Sequence, residues 1–300
     1  MNRDEKLPEL SIIIVSFNDK SHLEACLSSV EENAQEMDFE IIIVDNNSSD
    51  GSQEFIRQNY PQIKLITNDD NAGFAIALNR GLRESRGEFF LFLNTDTVIC
   101  PNALSLLLEE LKNNPRIGAI GPALLKGEDA YQVSFGRKVS FVSEIFQKFF
   151  LNPFYRLRLK SIQKRKEVGW LSAACFMTRR EVVEDAGLFD ENFFLYFEDI
   201  DLCYRIRLRG WSLLFFPQAK VFHKGATSTG QDKVRSRFEY RRSQLYFYQK
   251  HNSKVSFLLL RLYLVLNFGI IRLWGFLKGK EYRRSRELFF KLLGRNNRRT

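Results

Sequence analysis

Three carboxylates fall within four positions of this chain, at Glu198, Asp199 and Asp201, and aromatic residues precede them from Phe193 to Phe197. Apolar residues after the acids recur at a spacing that predicts a helix, at Leu202, Ile206 and Leu208. Carboxylates at a helix start feel the positive end of its dipole, and apolar neighbours displace their pKa values. The cluster therefore has the residue types and the surroundings that a catalytic general base requires. On spacing alone, a helix cap made of solvated acids is the alternative.

Four short apolar runs predict the strands that must position these acids: Leu10–Ser16, Phe39–Val44, Ile63–Ile66 and Glu88–Leu93. Such β-branched and aromatic runs suit strands of a parallel sheet that is covered on both faces. Segments with helical spacing lie between them, the first opened by a predicted capping box of Ser21 and Glu24. The alternating order predicts an α/β fold with a doubly wound, mostly parallel sheet.

Polar residues follow three of the four predicted strands, as Ser16-Phe17-Asn18, Asp45-Asn46-Asn47 and Asn94-Thr95-Asp96. In such sheets ligands bind beyond the carboxyl ends of the strands. Each cluster by itself fits ordinary turn chemistry, which is the alternative. Together they predict one binding crevice.

The absence of two nucleotide-binding motifs narrows the class of ligand that the predicted crevice could bind. No GxGxxG follows the first strand and no GxxxxGK[ST] occurs, which disfavours a dinucleotide fold and a P-loop. Asp45 is placed to accept hydrogen bonds from a base or ribose. Asp96 is placed to hold a hard divalent cation that bridges two phosphates. The alternative for Asp96 is a cap for the helix that follows Pro101.

Several motifs in this order resemble the large inverting glycosyltransferase family of the GT-A fold, usually numbered family 2. They are Ser11–Asn18, Val44–Ser52, Asn71–Phe74, Leu93–Thr97, Gly169–Arg180 and Phe189–Arg205. The closest likeness is to bacterial rhamnosyltransferases that build cell-surface polysaccharide.

The resemblance implies roles for the crevice residues. Asp45 would bind the nucleotide base, and the other nucleotide-binding positions would be Ser16, Phe17, Asn18, Asn71, Gly73, Asn94 and Thr95. Asn94-Thr95-Asp96 stands where the family has its metal-binding DxD, so Asn94 replaces the first acid. Asp96 is then the carboxylate ligand of an Mg or Mn ion.

A histidine completes that metal site in the family, and His223 in Val221–Ser228 matches its position. A lone structural histidine is the alternative. The Glu-Asp motif implies that Asp199 is the base for an inverting displacement and that Glu198 orients the acceptor, with Asp201 structural. Trp170 is expected either to stack on a sugar or to lie in the core.

Charge divides the chain into two parts. Up to Ala130 there are 11 Lys and Arg against 22 Asp and Glu, and the remainder holds 34 against 14. This asymmetry predicts two surfaces with different partners. Residues 1–230 are expected to form the GT-A domain, with a nucleotide half at about 8–125 and an acceptor half at about 126–230, and residues 231–300 a basic, apolar helical segment.

The scattered cysteines, Cys26, Cys100, Cys175 and Cys203, are expected to be reduced thiols.

Two basic segments suggest partners. Lys138–Lys166 interleaves bases with aromatics; no RNA-recognition motif accompanies them, so an anionic lipid or a polyprenyl diphosphate is favoured over nucleic acid. Val255–Trp274 is apolar but interrupted by Arg261 and Arg272, which leaves less than the roughly 20 residues that span a bilayer. We expect a helix on the inner face of the cell membrane, in a cytoplasmic, peripheral protein. A packed helical hairpin or a homodimer contact is the alternative.

The expected reaction moves a sugar from a nucleoside-diphosphate donor to a glycan or polyprenyl-linked acceptor. The family branch favours thymidine-diphospho-rhamnose, and uridine-diphospho sugars stay open. A sugar-nucleotide nucleotidyltransferase is disfavoured because Ser16–Asp19 lacks the Gly-rich, basic loop of that class. A catalytically inactive anion-binding module is the remaining alternative.

Overall fold

The computed structural model describes residues 7–127, 130–137, 139–141, 144, 164–225 and 233–274, with side chains as far as residue 267. Its strands are β1 (Leu10–Ser16), β2 (Phe39–Asp45), β3 (Lys64–Thr67), β4 (Phe89–Asn94), β5 (Thr97–Ile99), β6 (Ile117–Leu125), β7 (Tyr131–Gln132), β8 (Phe135–Gly136), β9 (Lys166–Glu167), β10 (Trp170–Leu171), β11 (Cys175–Arg179) and β12 (Ser212–His223). Its helices are α1 (Lys20–Ala34), α2 (Ser52–Asn59), α3 (Phe74–Glu84), α4 (Ala103–Asn113), α5 (Arg180–Ala186), α6 (Glu198–Leu208), α7 (Lys233–His251) and α8 (Lys254–Trp274). The four predicted strands and the helix at the acidic cluster are confirmed. Most of the predicted basic segment Lys138–Lys166 lies outside the described residues.

One sheet organises the chain, in the order β3-β2-β1-β4-β11-β6-β12-β5. The first four strands are parallel, and in register Ser16 pairs with Asp45 and Val15 with Asn94. β11 then runs antiparallel between β4 and β6, and β12 lies parallel to β6. The α/β prediction is confirmed, and within the described sheet each antiparallel pair includes a strand that follows β4 in the chain.

Both faces of the sheet are covered, which explains the continuous apolar runs. Every residue of β1 is buried. Ile12 and Ile14 point into a core shared with α1, α2 and α4, whereas Ile13 and Val15 point into a second core shared with α3, α5, α6 and α7.

The start of α1 differs from its prediction. The helix begins at Lys20 after Asp19, and no side-chain cap is formed, so the predicted Ser21–Glu24 capping box is wrong. Instead the Lys20 N–H donates to Asp50 Oδ2 at 2.9 Å, and the Asp19 carboxylate accepts from the Thr95 hydroxyl. A contact from a distant loop replaces the local cap.

The last two helices form a hairpin on the second core. Leu245, Phe247 and Tyr248 of α7 are buried, as are Leu260 and Leu264 of α8. The opposite face of α8 exposes apolar side chains, namely Val255, Leu258, Leu259, Leu262, Val265 and Leu266. Among the described helices, none combines the length and apolar character that a membrane span requires.

Candidate active site

A cavity of about 560 Å³ opens at the carboxyl ends of β1, β2 and β4, where the sequence placed the crevice. Its predicted lining residues are Phe17, Asn71, Gly73, Asn94, Thr95, Asp96, Glu198, Asp199 and His223. The second half of the chain contributes its other walls, including Ser172 to Ala174 and the start of α7. Residues from β4, α6 and β12 therefore share one site.

Asp45 is not among the cavity-lining residues. It is fully buried, and its carboxylate accepts from the Ser48 N–H at 2.9 Å, the Ser48 hydroxyl at 2.6 Å and the Gln53 amide at 2.7 Å. Asn46 beside it lines the cavity in its place. In this structure Asp45 shapes the loop after β2. Ser16 is likewise fully buried and is not among the cavity-lining residues.

Asn18 ties the loops after β1 and β2 together. Its φ of 52° lies in the left-handed region, which asparagine tolerates better than most residues. Its Oδ1 accepts from the Ser49 N–H at 2.8 Å, and its own N–H donates to Ser48 Oγ at 2.8 Å. These bonds stabilise the loop that carries Phe17. Asn18 itself is not among the residues that line the cavity.

Asn71 and Gly73 form a turn on the same side of the cavity. The Asn71 side chain accepts from the Gly73 N–H at 3.1 Å, and Gly73 has a φ of 89°. That conformation needs glycine because a Cβ would be strained there. The turn sets the start of α3 beside the cavity.

Asp96 and His223 meet although 127 positions separate them in the chain. His223 Nε2 lies 3.2 Å from Asp96 Oδ1, and both residues are buried. Gly225 N–H donates to Asp96 Oδ2 at 2.9 Å, and Lys224 N–H donates to the Asp96 carbonyl at 3.0 Å. The N-cap position of α4 is Asn102, and no side chain caps this helix, so the capping alternative for Asp96 is wrong.

The geometry of this pair suits a cation. His223 Nδ1 lies 2.9 Å from Gln132 Oε1, and Nε2 lies 3.2 Å from Asp96 Oδ1 and 3.4 Å from Asn94 Nδ2. With the proton on Nδ1 donated to Gln132, the Nε2 lone pair faces an Asp96 carboxylate oxygen. Two acceptors facing each other are unfavourable unless a proton or a cation lies between them. Within the described residues no group of three or more His, Cys, Asp or Glu side chains forms a metal cage. Two protein ligands leave room for oxygens of a bound ligand.

Glu198 and Asp199 begin α6 with contrasting surroundings. Asp199 Oδ2 accepts from the Ala173 N–H at 3.0 Å, and its Oδ1 accepts from the Ile200 N–H at 2.8 Å. Glu198 is buried, and its Oε2 has no hydrogen-bond partner among the described residues. The solvated-cap alternative for this pair is wrong.

Burial therefore acts on the two acids unequally. Desolvation raises the pKa of Glu198 well above its ordinary value, and the charge of Asp199 raises it further. Desolvation also raises the pKa of Asp199, but the backbone N–H groups of Ala173, Ile200 and Asp199 itself oppose that rise. Burial therefore disfavours the charged form of Glu198 more strongly than that of Asp199.

Some residues that line the cavity were not predicted from the sequence. Asp19 lines the cavity, and burial raises the pKa of its carboxyl. Gln132 orients His223, and Lys126 and Glu239 complete the walls. Asp19 carried a signal, since it stands within the polar loop after β1. Gln132 and Glu239 carried none, because only folding brings them to the cavity.

Trp170 lies outside the cavity. Its indole packs against Gly136, where an added Cβ would approach Nε1 to within 2.4 Å, and it belongs to the margin of the second core. The structure supports the core alternative for this residue.

A family model described as "Glycosyl transferase family 2" matches residues 11–187. The chain belongs to this family. It is a glycosyltransferase, as the ordered motifs predicted.

Curated relatives narrow the likeness within the family. The N-acetylglucosaminyl-diphospho-decaprenol L-rhamnosyltransferase of Mycobacterium tuberculosis is 31% identical over 242 residues, which are 74% of this glycosyltransferase and 78% of the relative. The O-antigen biosynthesis protein RfbC of Myxococcus xanthus is 29% identical over 238 residues, which are 76% of this chain and 18% of that protein. The predicted likeness to bacterial rhamnosyltransferases is confirmed.

Solved structures support the fold. The mannosyltransferase PcManGT from Pyrobaculum calidifontis in complex with GDP-Man and Mn2+ matches with a TM-score of 0.57 and 18% identity, covering 82% of this glycosyltransferase and 64% of that chain. GalNAc-T7 with UDP, GalNAc and Mn2+ matches with a TM-score of 0.56 and 20% identity, covering 73% of this chain and 44% of that one. This glycosyltransferase thus spans less than two thirds of either solved chain. The GT-A fold is confirmed.

The burial of Glu198 predicts that Glu198→Gln stabilises the fold at high pH, by roughly 1–3 kcal/mol, the usual cost of a buried polar group without a partner. Because folding raises the pKa of this carboxyl, its contribution is present below the unfolded pKa and is lost as pH rises through the folded pKa. An amide has no such loss. Urea unfolding from about pH 5 to about pH 9 measures the difference, with the exposed Glu54→Gln as the matched control. Parallel stability curves for wild type and Glu198→Gln would contradict the burial argument.

Proposed function

We propose that this glycosyltransferase transfers rhamnose, with inversion, from thymidine-diphospho-rhamnose to a polyprenyl-diphosphate-linked acceptor in cell-surface polysaccharide synthesis. The observation that carries the proposal is the shared cavity, which brings the Asp96–His223 pair and the Glu198–Asp199 pair together. The mycobacterial relative, named for L-rhamnosyl transfer to a diphospho-decaprenol carrier, supports the choice of sugar and acceptor.

The nucleotide is proposed to occupy the side of the cavity formed by the loops after β1, β2 and β3. Phe17, Asn46, Asn71 and Gly73 line it there. Asp45 is assigned an indirect part, since its carboxylate is satisfied within its own loop. Residues 8–125 then form the nucleotide half and residues 126–230 the acceptor half of the catalytic domain.

A divalent cation, Mg or Mn, is proposed to bind Asp96 Oδ1 and His223 Nε2. The facing lone pairs of these two atoms fit a cation, and Gln132 fixes the imidazole in the required orientation. A cation held there supplies Lewis-acid stabilisation to the departing diphosphate. Both fold neighbours were solved with Mn2+, which is consistent with this choice.

The proton chemistry is assigned to α6. In this assignment Asp199 is ionised and accepts the proton of the acceptor hydroxyl as that oxygen attacks the sugar carbon. Glu198, whose pKa is raised well above its ordinary value, is assigned the protonated state, in which it donates a hydrogen bond to the acceptor and orients it. Backbone N–H groups hold both oxygens of Asp199, so the carboxylate is fixed before the acceptor arrives.

Asp199→Asn is expected to lower the turnover number by about 10²- to 10⁴-fold, the usual contribution of a positioned base. Nucleotide binding is expected to stay near normal, because the loops that line the nucleotide side are unchanged. Transfer from thymidine-diphospho-rhamnose to a short polyprenyl-diphospho-sugar is followed by mass spectrometry, and thymidine diphosphate binding by calorimetry. Substantial transfer by Asp199→Asn would rule out the assignment of the base.

A donor screen with thymidine- and uridine-diphospho sugars tests the sugar. Transfer from uridine-diphospho sugars alone would replace rhamnose with another donor. Nucleotide binding without release of any nucleoside diphosphate, in the presence of acceptor and Mn2+, would identify an inactive binding module.

Asp96→Asn and His223→Ala are each expected to weaken Mn2+ binding in the presence of thymidine diphosphate by at least about tenfold, as loss of a ligand or its support does. Electron paramagnetic resonance of Mn2+ measures the binding without requiring turnover. The exposed Glu54→Gln serves as the control and is expected to bind Mn2+ as the wild type does. Unchanged Mn2+ affinity in both variants would remove the metal from the proposal.

The exposed apolar face of α8 is proposed to dock on the inner, anionic face of the cell membrane. Val255, Leu258, Leu262 and Leu266 recur along that face, and the residues that follow α8 are rich in Lys and Arg. Apolar burial and attraction to acidic headgroups would act together there.

The double variant Leu258→Glu/Leu262→Glu is expected to abolish flotation with phosphatidylglycerol vesicles, since it places charge in the docking face. The control is Leu7→Glu/Leu208→Glu, which alters two similarly exposed leucines outside α8. Failure of the wild-type chain to float would contradict docking. Concentration-dependent dimerisation, abolished by the α8 variant, would identify a homodimer contact instead.

A further inference from the structure

Helix α7 bonds to the helix that carries the two acids. Asp201, one turn after Glu198 on α6, is fully buried. Its Oδ1 accepts from Lys250 Nζ at 2.7 Å and lies 2.6 Å from His251 Nε2, both on α7. Its Oδ2 accepts from Arg205 Nε at 2.8 Å on its own helix. A buried carboxylate with this many partners fixes the two helices relative to each other.

The same helix holds the backbone that leads into α6. Tyr196 and Phe197 have φ angles of 67° and 69°, a left-handed conformation that costs free energy in bulky residues and persists only where neighbours enforce it. The Tyr240 ring packs against both rings, with centroids 5.7 Å and 5.3 Å away. Ser243 Oγ donates to the Leu195 carbonyl at 2.8 Å.

A second ion pair anchors the preceding turn. Lys250 Nζ also lies 2.6 Å from Asp190 Oδ2, and the Tyr246 hydroxyl donates to that same oxygen at 2.9 Å. Lys250 thereby joins the turn before the acids to the helix that follows them. These contacts lie beyond residue 187, where the family match ends.

We propose that α7 is a positioning element of the active site, whose Lys250, Ser243 and Tyr240 hold the segment 195–201 so that Asp199 faces the cavity. The proposal rests on the proposed function for the role of Asp199. Lys250 and Ser243 touch neither acid of the catalytic pair, so they act through Asp201 and through the strained backbone.

Lys250 also acts through its charge. The groups around Asp201 are Arg205 on α6 and Lys250 and His251 on α7, and Tyr240 of α7 lies close enough to Asp199 to feel its charge. The charge of Asp201 raises the pKa of Glu198. Without the Lys250 cation, the negative field of Asp201 at the acid pair increases. The pKa values of the pair then rise, and the acidic limb of the pH–rate profile moves to higher pH.

The test is Lys250→Met in the full chain, assayed with thymidine-diphospho-rhamnose and a short polyprenyl-diphospho-sugar. The turnover number is expected to fall about tenfold, a part of what a positioned base contributes. The KM for the donor and the affinity for thymidine diphosphate are expected to stay within about twofold, because α7 does not hold the nucleotide loops. The acidic limb is expected to shift upward. Lys250→Arg is expected to restore most of the rate, since it keeps the cation.

Lys254→Met is the matched control, because this exposed lysine is the first residue of α8 and lies just past the end of α7. Equal losses of turnover and nucleotide affinity at every pH in Lys250→Met would show a merely structural role and overturn the proposal. An unchanged turnover number and profile would also overturn it. If Lys250→Met binds no nucleotide, the milder Ser243→Ala decides: a fall of about fivefold, the worth of one hydrogen bond, supports the proposal and no fall overturns it.

Failure here is distinguishable from failure of the proposed function. An active Asp199→Asn enzyme would overturn the base assignment. An inactive Asp199→Asn enzyme, together with a Lys250→Met enzyme of wild-type turnover and pH profile, would overturn only the role of α7.

Discussion

The site depends on one constraint, the common edge at which parallel strands end. β1, β2 and β4 pair in register, so Ser16 lies opposite Asp45 and Val15 opposite Asn94. Upstream of that edge the strands are mostly buried on both faces and mostly apolar; one exception, the buried Ser11, bonds to Glu40 of the neighbouring strand. Where the sheet stops, polar residues from three strands converge. The polar side chains that line the crevice therefore lie where the buried part of each strand ends.

The second half of the chain completes this edge through antiparallel strands and a helix. β12 brings His223 to Asp96, and the turn before β11 brings the Ala173 N–H to Asp199. Each contact joins a carboxylate to a group that is remote in sequence. That group changes the electrostatic surroundings of the carboxylate. Backbone N–H groups of Ala173 and Ile200 donate to Asp199, whereas Glu198 Oε2 has no partner among the described residues and Glu198 also lies in the field of Asp199, so burial raises the pKa of Glu198 more than that of Asp199.

Local spacing left three positions open that the folded chain describes further. Asp45 has the position of a base-binding acid, and its carboxylate is bonded within its own loop. Ser21 and Glu24 have capping-box spacing, but the helix begins at Lys20, whose N–H donates to Asp50 Oδ2. Trp170, for which the core was one of two expectations, packs against Gly136. Asp50 and Gly136 are remote in sequence from the residues they contact, and spacing does not reveal such neighbours.

The sequence by itself determined four strands of the sheet, the α/β fold class, the family and nine of the residues that line the cavity, because periodic burial and motif order are local properties of the chain. The tertiary structure alone decided how strongly burial acts on Glu198 and Asp199, that Gln132 bonds to His223, and that α7 contacts Asp201 through Lys250. Those features depend on desolvation and on distances between segments remote in sequence. Both the desolvation of a side chain and the distance between remote segments are fixed only when the chain is folded.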